Sequence, residues 1–99
     1  MAKGGFVYIL TNKKDGVLYI GVTADLAARI EQHRAGAVSS FTRKYNCHRL
    51  VWFEWFEDLN DAQRAEKRMK KWNRAWKVKR IETRNPAWDD LSKAIPHIN

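Results

Sequence analysis

Two tyrosines, an arginine, a histidine and a glutamate are the residues of this 99-residue chain whose types and spacing suggest chemistry. Tyr8 lies in the apolar run Phe6–Leu10. Tyr19 lies in "VLYIGVT", residues 17–23, where Gly21 interrupts a run of strand-forming side chains. Side chains alternate along a strand, so Tyr19 and Gly21 share a face, and a glycine inside a strand marks a place where something approaches the backbone closely. Arg29 and His33 are four residues apart in a helical pattern and stack on one side of it. Glu66 is the only acid between Ala62 and Ile81, in the most basic part of the chain. A carboxylate there would repel phosphate unless a divalent cation stood between them. Metal-assisted phosphodiester chemistry needs that combination. Plainer accounts stand beside this one. Tyr19 can be an amphipathic aromatic next to a bulge, Arg29 a surface charge paired with Asp25, and His33 an ordinary helix residue. Glu66 can pair with Lys70 at i,i+4, worth about a few tenths of a kcal/mol.

The charge is unevenly placed. Nineteen Lys and Arg against eleven Asp and Glu give +8. Segment 62–84, "AQRAEKRMKKWNRAWKVKRIETR", holds ten of the basic residues and two of the acids, so it carries the whole excess. A neutral body with one basic helical stretch is the footprint of a phosphate-backbone binder, or else a solvated helix face. Trp72, Trp76 and Trp88 interleave with the charge at spacings that suit packing as well as base stacking.

These side chains must be positioned by a small set of elements. Residues 6–11 and 17–23 read as strands around a hairpin signalled by Asp15-Gly16. If Asn12 pairs with Val17 around a four-residue loop, Tyr8 falls opposite Gly21 and Tyr19 opposite Leu10, which makes the tyrosines diagonal neighbours. A one-residue slip would put them on opposite faces. "TADLAARIEQHRAG" reads as a helix capped by Thr23 or Asp25, facing inward through Leu26 and Ile30 and stopping at Gly36. "AVSSFTRKYNCH" reads as loop and "RLVWFEWFED" as a third strand. Asn60 or Asp61 can cap a second helix carried by Ala62, Ala65, Met69, Trp72 and Trp76. Near Asn73 it bends or breaks into a third, which ends before Asn85-Pro86. The order ββαβαα predicts an α+β fold: a small three-stranded, mostly antiparallel sheet flanked by helices on parts of both faces.

The length suits one domain spanning 1–99, with a core at about 5–84 and a C-terminal tail at 85–99. Hydrophobic residues at 44% are too abundant for a disordered chain. The apolar stretches are too short to cross a bilayer, and "MAKGG" leads straight into a strand, without the pattern of a signal peptide. One cysteine, Cys47, excludes an internal disulfide framework. The expectation is a soluble cytoplasmic protein that makes no use of a membrane. His33, Cys47, His48 and His97 lack zinc-ligand spacing. No P-loop, dinucleotide fingerprint or serine nucleophile elbow is present. Cys47 and His48 are adjacent, so their side chains diverge rather than form a catalytic pair.

The ordered set Phe6-Val7-Tyr8, Tyr19-Ile20-Gly21, Arg29, His33 and Glu66 resembles the GIY-YIG nuclease family, in particular its small stand-alone bacterial, UPF0213-like members. The similarity runs from Phe6 to about Leu91 and takes in "FTRKY", "DAQRAEKRMKKW" and "WNRAWKVKRIETRNPAWDDL". One departure is that Phe-Val-Tyr stands where the family name says Gly-Ile-Tyr, although Gly4-Gly5 precede it and the tyrosine is kept.

The resemblance implies a GIY-YIG endonuclease-like fold and a metal-dependent endonuclease that hydrolyses DNA, with DNA repair or recombination as its setting. It implies Tyr8 as general base, Tyr19 positioning the water or phosphate, and Arg29 clamping the scissile phosphate. Glu66 would hold one Mg²⁺ (or Mn²⁺) that stabilises the leaving 3′ oxygen, with His33 as a helper. An unperturbed tyrosine has a pKa of about 10, so Tyr8 would need nearby cations to favour its phenolate, and Arg29 and the metal could supply them. Lys67, Lys70, Lys71, Arg43, Lys44 and Arg74 are the candidate DNA contacts. The DNA partner includes branched and damaged forms among its candidates, and the oligomeric state stays open between monomer and weak dimer. Two other readings remain: a catalytically weak or inactive nucleic-acid-binding module on the same scaffold, and a protein-interaction module using exposed aromatics of "VWFEWF".

Overall fold

The computed structural model describes residues 3–96. Strand β1 (Gly5–Thr11) is the middle of a three-stranded antiparallel sheet in the order β2-β1-β3, with β2 spanning Leu18–Thr23 and β3 Arg49–Phe56. Every residue of β1 is buried, because helices cover both faces of the sheet at this strand. The alternation of the strand divides the core in two. Phe6, Tyr8 and Leu10 pack with Leu26, Ile30, Cys47 and Leu50. Val7 and Ile9 pack on the other side with Ile20, Trp52, Ala62, Ala65, Met69 and Ile81.

The β1–β2 register pairs Tyr8 with Gly21 and Leu10 with Tyr19, as the four-residue loop requires. The turn is tied by Gly16 N donating to the Lys13 carbonyl at 2.9 Å and Val17 N donating to Asn12 Oδ1 at 3.0 Å. Asp15 adopts φ 60°, a left-handed conformation that aspartate tolerates better than most residues.

Helix α1 (Leu26–Arg34) is capped by Asp25, whose side chain accepts from Ala28 N, and the chain leaves it through Gly36 at φ 74°. The segment expected as loop contains a helix, α2 (Ser40–Tyr45). Its six residues are too few to show a helical period and include β-branched and aromatic side chains. Ser39 caps its start, Asn46 ends it in the left-handed region, and Thr42 is buried against α1. Helix α3 (Leu59–Lys70) is capped by Asp58, not by Asn60 or Asp61. The Asp58 side chain accepts from Asn60 N at 2.8 Å, while Asp61 lies in the first turn and pairs with Arg64. Asn73 caps helix α4 (Arg74–Arg84) by accepting from Trp76 N.

The last described residues pack on the body of the fold. Leu91 N donates to the Leu50 carbonyl at 2.7 Å, and Asn85 is buried with its amide donating to Val51 O and Asp89 O. The aromatics of "VWFEWF" are buried or half-buried in β3, so they offer no exposed interaction surface. No helix among the described residues is long and apolar enough to cross a membrane.

Candidate active site

The glycine of "YIG" has a steric reason. Tyr8 and Tyr19 project from the same face of the hairpin with ring centroids 6.3 Å apart, and the Tyr8 ring lies across Gly21. A Cβ at position 21 would overlap Tyr8 Cζ and Oη. Any other residue there would displace the phenol.

Beneath the tyrosines lies His33, fully buried on α1. The Tyr8 hydroxyl is 2.8 Å from His33 Nε2, and His33 Nδ1 is 3.0 Å from Thr42 Oγ1. The Thr42 hydroxyl has one proton and donates it to the Ser39 carbonyl at 3.2 Å. Thr42 must therefore accept from His33, which places the imidazole proton on Nδ1 and leaves Nε2 bare to accept from the Tyr8 hydroxyl. Burial, with the nearby Arg29 and His48, lowers the His33 pKa from the usual 6.5 to about 4, so the ring is neutral at pH 7. Tyr19 meets His33 edge to face at 5.2 Å and stacks on Phe41 at 6.2 Å.

Arg29, half-buried on α1, is near enough to the Tyr8 hydroxyl to pull its pKa down. Burial outweighs it, and the neighbouring Tyr19 and the Glu66 carboxylate push in the same direction, so the Tyr8 pKa is raised. Burial by the protein groups alone thus holds Tyr8 as a phenol.

Glu66 faces the same region from α3, its side chain 13% exposed and its carboxylate 3.0 Å from Lys70 Nζ. Among the described residues no group of three or more His, Cys, Asp and Glu could enclose a metal ion. A single carboxylate such as Glu66 suits a Mg²⁺ that keeps several waters and takes its other ligands from a substrate phosphate. The Lys70 pair is of a kind worth only about 0.3–0.5 kcal/mol, and a divalent ion can displace it.

The candidate DNA contacts are distributed differently. Lys67 and Lys71 are exposed at the C-terminal half of α3 and just beyond it. Arg43 and Lys44 are exposed on α2, with Lys44 Nζ 5.4 Å from the centroid of the Tyr45 ring. Lys70 shares a groove of about 300 Å³ with Tyr19, Phe41 and Lys77. Arg74 is committed to the fold, since its guanidinium donates to Asp15 O at 2.9 Å and Gly16 O at 2.7 Å and ties α4 to the hairpin turn. Thr42 and Phe41 carry no individual signal in the sequence. "FTRKY" resembles the family only as a unit, and its segment reads as loop, which hides the pairing of position 42 with position 33.

The GIY-YIG catalytic domain model matches residues 4–80. A UPF0213 protein of Clostridium perfringens is 37% identical over 90 residues, covering 91% of this chain and 96% of the relative. A UPF0213 protein of Staphylococcus haemolyticus is 38% identical over 79 residues, covering 80% of this chain and 95% of the relative. The solution NMR structure of a UPF0213 protein of Bacillus halodurans superposes with a TM-score of 0.55 at 30% identity, covering 95% of this chain and 99% of that one. With the match spanning sheet, helices and tyrosine motifs alike, the chain belongs to the GIY-YIG catalytic domain family and to the UPF0213 family.

Proposed function

We propose that this protein is a metal-dependent endonuclease that hydrolyses DNA phosphodiester bonds. The observation that supports it most is the buried chain Tyr8–His33–Thr42 lying against an arginine and an isolated carboxylate. A phenol bonded to a neutral imidazole can act as base without first becoming a phenolate. As Tyr8 Oη takes a proton from the attacking water, its own proton passes to His33 Nε2. The water oxygen bonds to phosphorus and the P–O3′ bond breaks, leaving a 5′ phosphate and a 3′ oxygen that takes a proton from solvent. Arg29 clamps the scissile phosphate, where its fork of donors suits two phosphate oxygens. Tyr8 is fully buried, so water and phosphate reach its hydroxyl only when neighbouring side chains move. Tyr19 positions the water or phosphate. Glu66 would hold one Mg²⁺ (or Mn²⁺), which when bound would supply positive charge for the phosphate and the leaving oxygen. DNA repair or recombination is the setting this activity fits.

The burial of Tyr8 and the Glu66–Lys70 pair also favour a second reading, a nucleic-acid-binding module that cuts slowly or not at all. The test is to incubate supercoiled, branched and single-stranded DNA with the protein in Mg²⁺ or in EDTA, alongside Glu66→Ala. Metal-dependent product that disappears in the variant supports the nuclease. Binding without product by either protein supports the module.

A further inference from the structure

Trp72 and Trp76 of the basic segment and Trp88 just beyond it have three different environments. Trp88 is fully buried, and its Nε1 donates to Glu82 at 2.8 Å. Trp72 is half-buried against the sheet core. Trp76 does not join the buried stripe of α3. It sits on α4 with 60% of its surface exposed, more than Phe41 or Tyr45 at 39% each. The Trp72 and Trp76 rings meet edge to face at 6.1 Å and 76°. The Arg80 guanidinium lies 4.9 Å from the Trp72 centroid and 5.8 Å from that of Trp52. Trp72, Trp76 and Arg80, with Lys79 and Thr83, line an open cavity of about 330 Å³. Every charged residue lining it is basic.

We infer that this groove on α4 binds an unpaired nucleobase and its phosphate, so that the preferred substrate is DNA with a single-stranded or frayed segment. An aromatic face accepts any base by stacking, and cations beside it take the backbone, which is the general design of single-strand binding surfaces. Arg80, its guanidinium 4.9 Å from the Trp72 centroid, adds a cation beside the same surface. Tryptophan and arginine are also enriched at protein interfaces, but a groove whose charges are all positive complements a polyanion. A chain neighbour of the groove reaches the candidate active site. Lys77, next to Trp76 in the chain, lines with Lys70 the groove that holds Tyr19 and Phe41, and its Nζ reaches the Lys70 carbonyl at 3.4 Å. As a statement about substrate, the inference rests on the nuclease reading; as a statement about binding, it stands without it.

The experiment is fluorescence anisotropy in EDTA, where no cutting occurs, with labelled oligo(dT) and a blunt duplex of equal length, for wild type, Trp76→Ala and Trp76→Phe. Trp76→Ala is expected to weaken oligo(dT) binding about ten-fold, with Trp76→Phe retaining most of the affinity, and the duplex is expected to bind all three proteins alike. Oligo(dT) should also quench tryptophan emission in wild type more than in Trp76→Ala. Unchanged oligo(dT) affinity in Trp76→Ala overturns the inference. So does a loss that is equal for oligo and duplex, or a variant that changes only the oligomeric state. Metal-dependent nicking of closed circular duplex tests the nuclease reading separately, and either result there leaves the anisotropy outcome interpretable.

Discussion

The Tyr8 hydroxyl and His33 Nε2 lie 2.8 Å apart in the interior, brought together from a central strand and the following helix. The geometry makes the imidazole a buried, neutral acceptor. In the ¹H–¹⁵N spectrum His33 is expected to carry its proton on Nδ1 and to titrate at about pH 4. A titration near 6.5 or a proton on Nε2 would contradict the arrangement. The same depression has a stability consequence with a fixed sign. Between pH 6.5 and about 4 the unfolded chain binds a proton at this site that the folded one does not, so stability falls as pH drops through that window. Tm of the wild type should fall more steeply there than that of His33→Gln.

Thr42 is a positioning residue for His33. Thr42→Val keeps the shape but leaves the imidazole N–H without its acceptor, and this is expected to cost about 1–3 kcal/mol in urea unfolding. Its ¹⁵N spectrum should show a mixture of tautomers, whereas Thr42→Ser should keep the Nδ1 proton. A merely structural role would change the stability and leave the tautomer as it was.

Gly21→Ala reverses a usual sign. Replacing glycine by alanine inside a strand ordinarily stabilises by about 0.5–1 kcal/mol. Here the added methyl overlaps Tyr8, and the expected result is a loss of about 1–3 kcal/mol by denaturant titration. The His33 ¹⁵N shifts should move with it as the phenol is displaced.

Much of this arrangement can be read from the chain itself. Asp15-Gly16 and a four-residue loop set the hairpin register, and the register puts Tyr8, Tyr19 and Gly21 on one face. Leu26, Ile30, Ala62, Ala65 and Met69 are buried where their helical spacing puts them. Helix α2 was hidden because two caps and one buried threonine stabilise it rather than a periodic stripe. The partner of His33 was hidden with it. The raised Tyr8 pKa depends on burial, which spacing does not report. Likewise, only the break at Asn73 decides that Trp76 leaves the buried stripe, and a tryptophan pattern reads the same in either case.

The cap of α3 offers a test of a position that sequence signals misplace. Asp58→Ala removes the acceptor for Asn60 N and is expected to cost about 1 kcal/mol. Asn60→Ala, at an exposed side chain, should stay within about 0.5 kcal/mol of wild type. Urea titration of the two variants decides it, and a larger loss for Asn60→Ala would contradict the assignment.

The most direct test of the proposed chemistry is single-turnover nicking of supercoiled DNA in Mg²⁺ by wild type and Tyr8→Phe at matched DNA occupancy. The phenylalanine keeps the ring over Gly21 and removes only the hydroxyl that bonds His33. If that hydroxyl carries the proton, the rate falls by at least about a hundred-fold while DNA affinity holds. Nicking by Tyr8→Phe at the wild-type rate would contradict the account.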